Sequence, residues 1–173
     1  MKINKVVRDK VKIDYLLIEG TVDIETPYFI NEINKGIKEN NNENFKTNVN
    51  GYMTSWHYFT RNNNFLKTLF PLFDYLDNLE KIKAYSLHSA WGLKEGFGNY
   101  TYPHDHAPNY LSGVIYLNDH DQVLLFPEIK KEFKPKRNSF ILFSSFLIHK
   151  TLRNITDIDK YAISFNLNFH KGG

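Results

Sequence analysis

The chain has no cysteine among its 173 residues. Disulfides, thiolate metal sites and cysteine nucleophiles are excluded, so any metal must be held by His, Asp or Glu. Apolar runs long enough to span a bilayer are also lacking. The first stretch, Met1 to Glu19, is charged and has no long apolar centre of the kind found in signal peptides. A cytoplasmic protein with no membrane partner is the expectation. Charge of one sign is lacking too: 22 basic residues face 19 acidic ones, a net +3. That balance gives no argument for nucleic acid as a partner. There is no Gly-rich phosphate loop, no nucleophile elbow and no paired-carboxylate site.

What is present is a core-forming composition, 42% hydrophobic and 16% aromatic. Fourteen Phe and eleven Tyr favour a β-rich core over a helix bundle. No internal repeat or domain-separating linker is visible, and the length suits one domain over 1–173. Within it, 1–82 reads as an N-terminal strand and helical support and 83–169 as a β core.

Ile13 to Ile18 is a strand candidate. Thr26 before Pro27 marks a helix start, and Phe29, Ile30, Ile33 and Ile37 recur at helical spacing. Thr47 to Thr60 has strand-like Val49, Tyr52, Trp56 and Tyr58. Asn62, Asn63 and Asn64 offer caps for a second helix with the apolar face Phe65, Leu66, Leu69, Phe73, Leu76 and Leu79. Pro71 should kink that helix or sit near its start. From Ile82 onward short strands follow, at Ala84–Leu93, Tyr110–Asn118, Gln122–Phe126, Ser139–Phe143, Phe146–Lys150 and Lys160–Phe169. Gly96, Gly98, Asn109, Asn118, Asp119, Pro127, Pro135 and Asn138 punctuate them. About six strands in half a chain predict a sandwich or jelly roll, with the two helices covering one sheet.

Pro103-His104-Asp105-His106 is the strongest chemical signal. On a strand, residues two apart share a face, so His104 and His106 face inward and Asp105 outward. Imidazole suits iron, zinc, copper and nickel. The spacing alone is a weak motif. His149 is the best third ligand, because it follows the apolar stretch Ser139 to Ile148 and should be buried with the pair. His57, His88, His120 and His170 lack such context and read as non-ligands, with His120 in a solvated acidic turn. The basic run Lys130 to Arg137 reads as a solvated hairpin loop.

Trp91, the loop Gly96-Phe97-Gly98-Asn99, His104-Asp105-His106, Tyr110 to Asn118, Leu142 to His149 and Lys160 to Asn166 stand in an order and spacing that resembles the iron(II)/2-oxoglutarate oxygenases. The likeness is to prolyl-hydroxylase-like members and to the small bacterial and phage oxygenases with a His-x-His pair, and it covers Lys83 to Phe169. It implies a double-stranded β-helix (α+β, mainly β) with N-terminal helices on one sheet. By resemblance His104, His106 and His149 hold Fe(II), with His106 where Asp is usual. Lys160 takes the position of the cation that binds the distal carboxylate of 2-oxoglutarate, and Tyr116 that of a hydroxyl beside it. Strand parity from Lys160 turns Ala162, Ser164 and Asn166 inward and Ile163, Phe165 and Leu167 outward. Likewise Ser112, Val114 and Tyr116 share one face. Ser164 therefore joins the cosubstrate pocket, while Trp91, Tyr102 and Asn166 are the candidate substrate contacts.

The implied activity is hydroxylation of a peptidyl, amino-acid or other small substrate, coupled to decarboxylation of 2-oxoglutarate with O2. Two rivals remain: a three-His cupin-like dioxygenase that uses no 2-oxoglutarate, and a noncatalytic jelly-roll binding module.

Overall fold

Strand-forming residues alternate most regularly in the second half of the chain, and that half builds the principal sheet. The structure is a computed structural model and describes residues 13–39, 47–80 and 85–169. The charged stretch before Ile13, the expected strand start at Ala84 and His170 lie outside the described residues. In chain order the elements are β1 (Leu17–Thr21), α1 (Thr26–Glu39), β2 (Val49–Asn50), β3 (Tyr52–Met53), α2 (Asn63–Glu80), β4 (Tyr85–Glu95) and β5 (Tyr100–Thr101). Then follow β6 (Leu111–Tyr116), β7 (Leu124–Phe126), β8 (Lys131–Phe133), β9 (Ser139–Ser144), β10 (Lys150–Thr151) and β11 (Lys160–Phe169). The large sheet has the order β1-β9-β6-β11-β4-β3, and all of its pairings are antiparallel. A smaller sheet, β10-β7-β8, and the short pair β2-β5 complete the β structure among the described residues. This is the jelly-roll layout expected from the spacing of the strands.

The period-two alternation sorts the large sheet into two faces. One face carries Leu111, Ile115, Ile163, Phe165 and Leu167, and it packs under the helices through Phe29, Ile33, Phe65, Leu69 and Leu76. The other carries Trp91, Leu93, Val114, Tyr116, Ile141, Phe143 and Ala162, and meets Leu124, Phe126 and Phe133 of the small sheet. The parity read from β6 and β11 is therefore the parity observed. β4 carries Gly92 at the point where α1 crosses, and a Cβ there would collide with Ile33. The missing side chain lets α1 lie close on the sheet.

Several local expectations are corrected. Thr26 does open α1, but its hydroxyl donates to Asn138 Oδ1 at 2.9 Å rather than capping the helix. In α2 the cap is Asn62, whose Oδ1 accepts the Phe65 N–H at 3.0 Å. Leu72 is buried in place of Leu79, which is exposed. Pro71 lies inside α2 and faces solvent. Thr47–Thr60 yields only β2 and β3, because Trp56 to Arg61 form turns. The strand expected at Phe146–Lys150 shrinks to Lys150–Thr151, because the chain turns at Ser145-Phe146-Leu147. Lys131–Phe133 of the basic run is a strand paired with β7, not wholly a loop.

Candidate metal centre

His104, His106 and His149 converge. One ring nitrogen from each lies within 4.8 Å of the others. Their placement depends less on a continuous strand than the His-x-His spacing suggests. His104 forms an isolated antiparallel bridge with His149. His106 lies beyond it in irregular chain, held by its N–H to Ser145 O at 2.8 Å. Its carbonyl accepts from Asn109 N–H at 3.0 Å and from Asn109 Nδ2 at 2.8 Å. Asp105 is exposed, as expected, and its Oδ1 accepts the Ala107 N–H.

Two of the tautomers are set by the backbone. His104 Nδ1 lies 2.8 Å from Tyr102 O and His149 Nδ1 lies 3.0 Å from Leu147 O. A carbonyl can only accept, so each Nδ1 carries the proton and each Nε2 presents a lone pair. Orientation of a ligating imidazole by its second nitrogen is the usual support for a metal site. His106 Nε2 and His149 Nε2 are 3.2 Å apart. Two donors on a metal at about 2.0–2.1 Å would be about 2.8–3.0 Å apart at octahedral angles and about 3.3–3.4 Å apart at tetrahedral angles, a range that brackets this spacing. The spacing of His106 and His149 therefore suits a first-row divalent ion, and His104 offers a third imidazole nitrogen within 4.8 Å of them.

The surroundings keep the imidazoles in the ligating form. Burial pulls His106 down to about 2 and His149 down to about 3, and the neighbouring imidazoles add to both effects. Burial lowers His104 as well, with Tyr102 O opposing. All three are neutral near pH 7. Phe143 packs on His149 at 4.8 Å between ring centres, and Trp91 on His106 at 5.7 Å. The Trp91 Nε1–H is buried and has no hydrogen-bond partner among the described residues.

The histidines line a narrow cavity of about 50 Å³ whose walls come from both sheets. Trp91, Tyr116, Lys160 and Ser164 line it too. Lys160 is buried, and its Nζ lies 2.5 Å from Glu95 Oε2. Glu95 Oε1 accepts from Thr101 Oγ1 at 3.1 Å and Thr151 Oγ1 at 3.5 Å. Sequence reasoning missed Glu95, Thr101 and Thr151. The usable signal is parity along β4, since Trp91, Leu93 and Glu95 share a face. Burial and the Glu95 charge push the Tyr116 hydroxyl far above its ordinary value.

The candidate substrate contacts Asn166 and Tyr102 are not among the residues that line the cavity. Asn166 is buried, but its amide is committed to Ser112 Oγ at 2.7 Å and Ser89 Oγ at 3.0 Å, outside the cavity lining. Tyr102 is exposed beside the histidines, with its hydroxyl 2.7 Å from that of Tyr100. Of the non-ligands, His120 is buried rather than solvated: its Nδ1 accepts the Gln122 N–H and its Nε2 faces Ile158 O.

No protein-family model matches the chain, and no curated protein matches it in sequence. Solved structures do match in shape. A viral collagen prolyl hydroxylase from Paramecium Bursaria Chlorella virus-1 is similar over 97% of this chain and 98% of its own, at 18% identity and a TM-score of 0.66. A prolyl-4-hydroxylase of Pseudomonas putida is similar over 89% and 92%, at 11% identity and a TM-score of 0.65. HygX of Streptomyces hygroscopicus, solved with nickel and 2-oxoglutarate bound, is similar over 89% and 82%, at 14% identity and a TM-score of 0.59. The chain thus has the jelly-roll fold shared by the iron(II)/2-oxoglutarate oxygenases.

Proposed function

We propose that this chain is an Fe(II)- and 2-oxoglutarate-dependent oxygenase, a hydroxylase acting on a peptidyl, amino-acid or other small substrate. The observation that carries the reading is the convergence of His104, His106 and His149 on a cavity that the buried Lys160 also lines. His104 and His149 offer lone pairs in fixed tautomers, and His106 would supply the third imidazole nitrogen. Bound iron(II) would supply the redox chemistry that joins decarboxylation of the 2-oxo acid with O2 to oxidation of a C–H bond. The protein's part is binding, orientation and exclusion of water. Lys160 provides the cation for a distal carboxylate, and Tyr116 and Ser164 line its path. Phe143, Phe126 and Trp91 wall the histidines with apolar surface. Trp91, whose indole N–H has no partner among the described residues, and the exposed Tyr102 are the candidate substrate contacts. The prolyl hydroxylases among the structural neighbours support a peptide or amino-acid substrate, and a HygX structure with hygromycin B bound supports a small molecule.

We also take 1–173 as one functional unit, since β1 pairs with β9 and β3 with β4 across the two halves of the chain. No helix among the described residues is long and apolar enough to cross a membrane, and our reading places the enzyme in the cytoplasm.

A second reading, a three-His dioxygenase that does not use 2-oxoglutarate, draws on one observation: Lys160 already has a carboxylate partner in Glu95. Metal analysis combined with succinate release from 2-oxoglutarate tests both. One equivalent of iron and succinate production, both lost on His149→Ala, are expected. Iron binding with O2 uptake that ignores 2-oxoglutarate would favour the second reading. No iron binding would end both.

A further inference from the structure

The Glu95–Lys160 pair is more than a buried ion pair, because of where it lies. Both side chains line the cavity that holds the three histidines, and both are sealed, with side-chain exposures of 3% for Lys160 and 1% for Glu95. They stand opposite one another in the β11–β4 register, so the backbone presents them to each other. The pair has no net charge, and Lys160 is the one Lys or Arg that lines the cavity among the described residues, so the lining offers no free ammonium or guanidinium. An incoming distal carboxylate meets an ammonium that is already taken, with a second negative charge beside it. In a poorly hydrated cavity that like-charge neighbour is costly.

Glu95 has somewhere to go. Its other oxygen already faces Thr101 Oγ1 at 3.1 Å and Thr151 Oγ1 at 3.5 Å. The Thr151 hydroxyl is held in turn, accepting from Thr101 N–H at 2.8 Å and from Gln122 Nε2 at 3.3 Å. A carboxylate that gave up Lys160 would keep hydroxyl donors on this side of the pocket.

We propose that Glu95 is a specificity-determining residue that competes with the distal carboxylate of the cosubstrate for Lys160. The inference rests on the 2-oxoglutarate reading above. Binding a 2-oxo diacid requires the Lys160–Glu95 contact to open. Binding a 2-oxo monoacid of the same length does not. The wild-type pocket is thereby biased against the diacid relative to the monoacid, and its affinity for 2-oxoglutarate is held down.

The test is anaerobic titration of the Fe(II)-loaded full chain, read by charge-transfer absorbance rather than by turnover. The probes are 2-oxoglutarate and 2-oxopentanoate, which has the same five-carbon chain without the distal carboxylate. Glu95→Gln is expected to tighten 2-oxoglutarate about tenfold, equivalent to about 1.4 kcal/mol, and to change 2-oxopentanoate much less. In Glu95→Gln/Lys160→Met the gain for 2-oxoglutarate should disappear. Should Glu95→Gln not fold, Glu95→Asp carries the test: it keeps the charge, retracts it from Lys160, and should tighten 2-oxoglutarate in the same direction. A wild type that binds 2-oxoglutarate while the Glu95 variants bind it equally or more weakly would overturn the inference and leave the oxygenase reading standing. Failure of the wild type and every Glu95 variant to bind 2-oxoglutarate would overturn both. Binding by Glu95→Gln alone would support the competition in its strongest form.

Discussion

The backbones of His104 and His149 exchange both of their hydrogen bonds, His104 N–H to His149 O at 3.1 Å and His149 N–H to His104 O at 3.0 Å. Directly opposed residues of an antiparallel pair carry their side chains on the same face, and here the ring centres are 4.3 Å apart. Two of the proposed ligands are thus brought together by main-chain pairing, independently of any metal.

That arrangement shapes what His149→Ala should do. The variant should lose stoichiometric metal binding, because one lone pair is gone. His149 is also buried against Phe143 and Phe126, so truncation should cost about 1–3 kcal/mol of stability. Metal content and urea midpoints of the metal-free proteins check the two effects separately. A destabilised variant that still binds one equivalent of iron when folded would mean that His149 serves packing alone.

His106→Asp replaces an imidazole by the carboxylate that the resemblance makes usual at this position. The variant should still bind one divalent ion, and its metal-free form should be less stable than the wild type, since a carboxylate beside Trp91 would be partly buried and unpaired. Its melting temperature should therefore rise more on metal addition. Thermal scans with and without Fe(II) or Ni(II) measure this, and an equal rise in both proteins would argue against ligation at residue 106.

Acid should destabilise the metal-free protein through the same histidines. Folded values of about 2 for His106 and about 3 for His149 lie below the unfolded value of about 6.5. The unfolded chain then binds more protons below about pH 6.5, so stability is retained above that pH and falls progressively toward pH 3. Urea midpoints of the metal-free protein at about pH 7.5 and about pH 5 should show a drop. That drop should shrink in a His106→Asn/His149→Asn variant, and an undiminished drop would assign it to other groups.

Lys160→Met should be strongly destabilising, by about 3–5 kcal/mol, because it strands a buried carboxylate at Glu95. Adding Glu95→Gln should restore much of that loss, as both charges are then gone. Denaturant unfolding of the two single variants and the double variant completes the cycle. Additive losses would show that the two groups do not depend on each other.

Much of the site is legible in the sequence by itself. Parity places Ser112, Val114, Tyr116, Lys160, Ala162 and Ser164 on one face, because side chains in any strand alternate and the residues around them are apolar. The three histidines follow from a short spacing and from an apolar run that has to be buried. What only the tertiary structure decided depends on chain segments far apart in sequence. The bridge between His104 and His149, and the register that sets Lys160 opposite Glu95, are pairings between strands, and no local pattern in either segment names its partner. Asn166 shows the same limit from the other side: parity alone turns it inward, while its amide meets Ser89 and Ser112 and it is not among the residues lining the cavity. Local periodicity determines which way a side chain points. Which group it meets there is determined by strand register, and register is a property of the folded sheet.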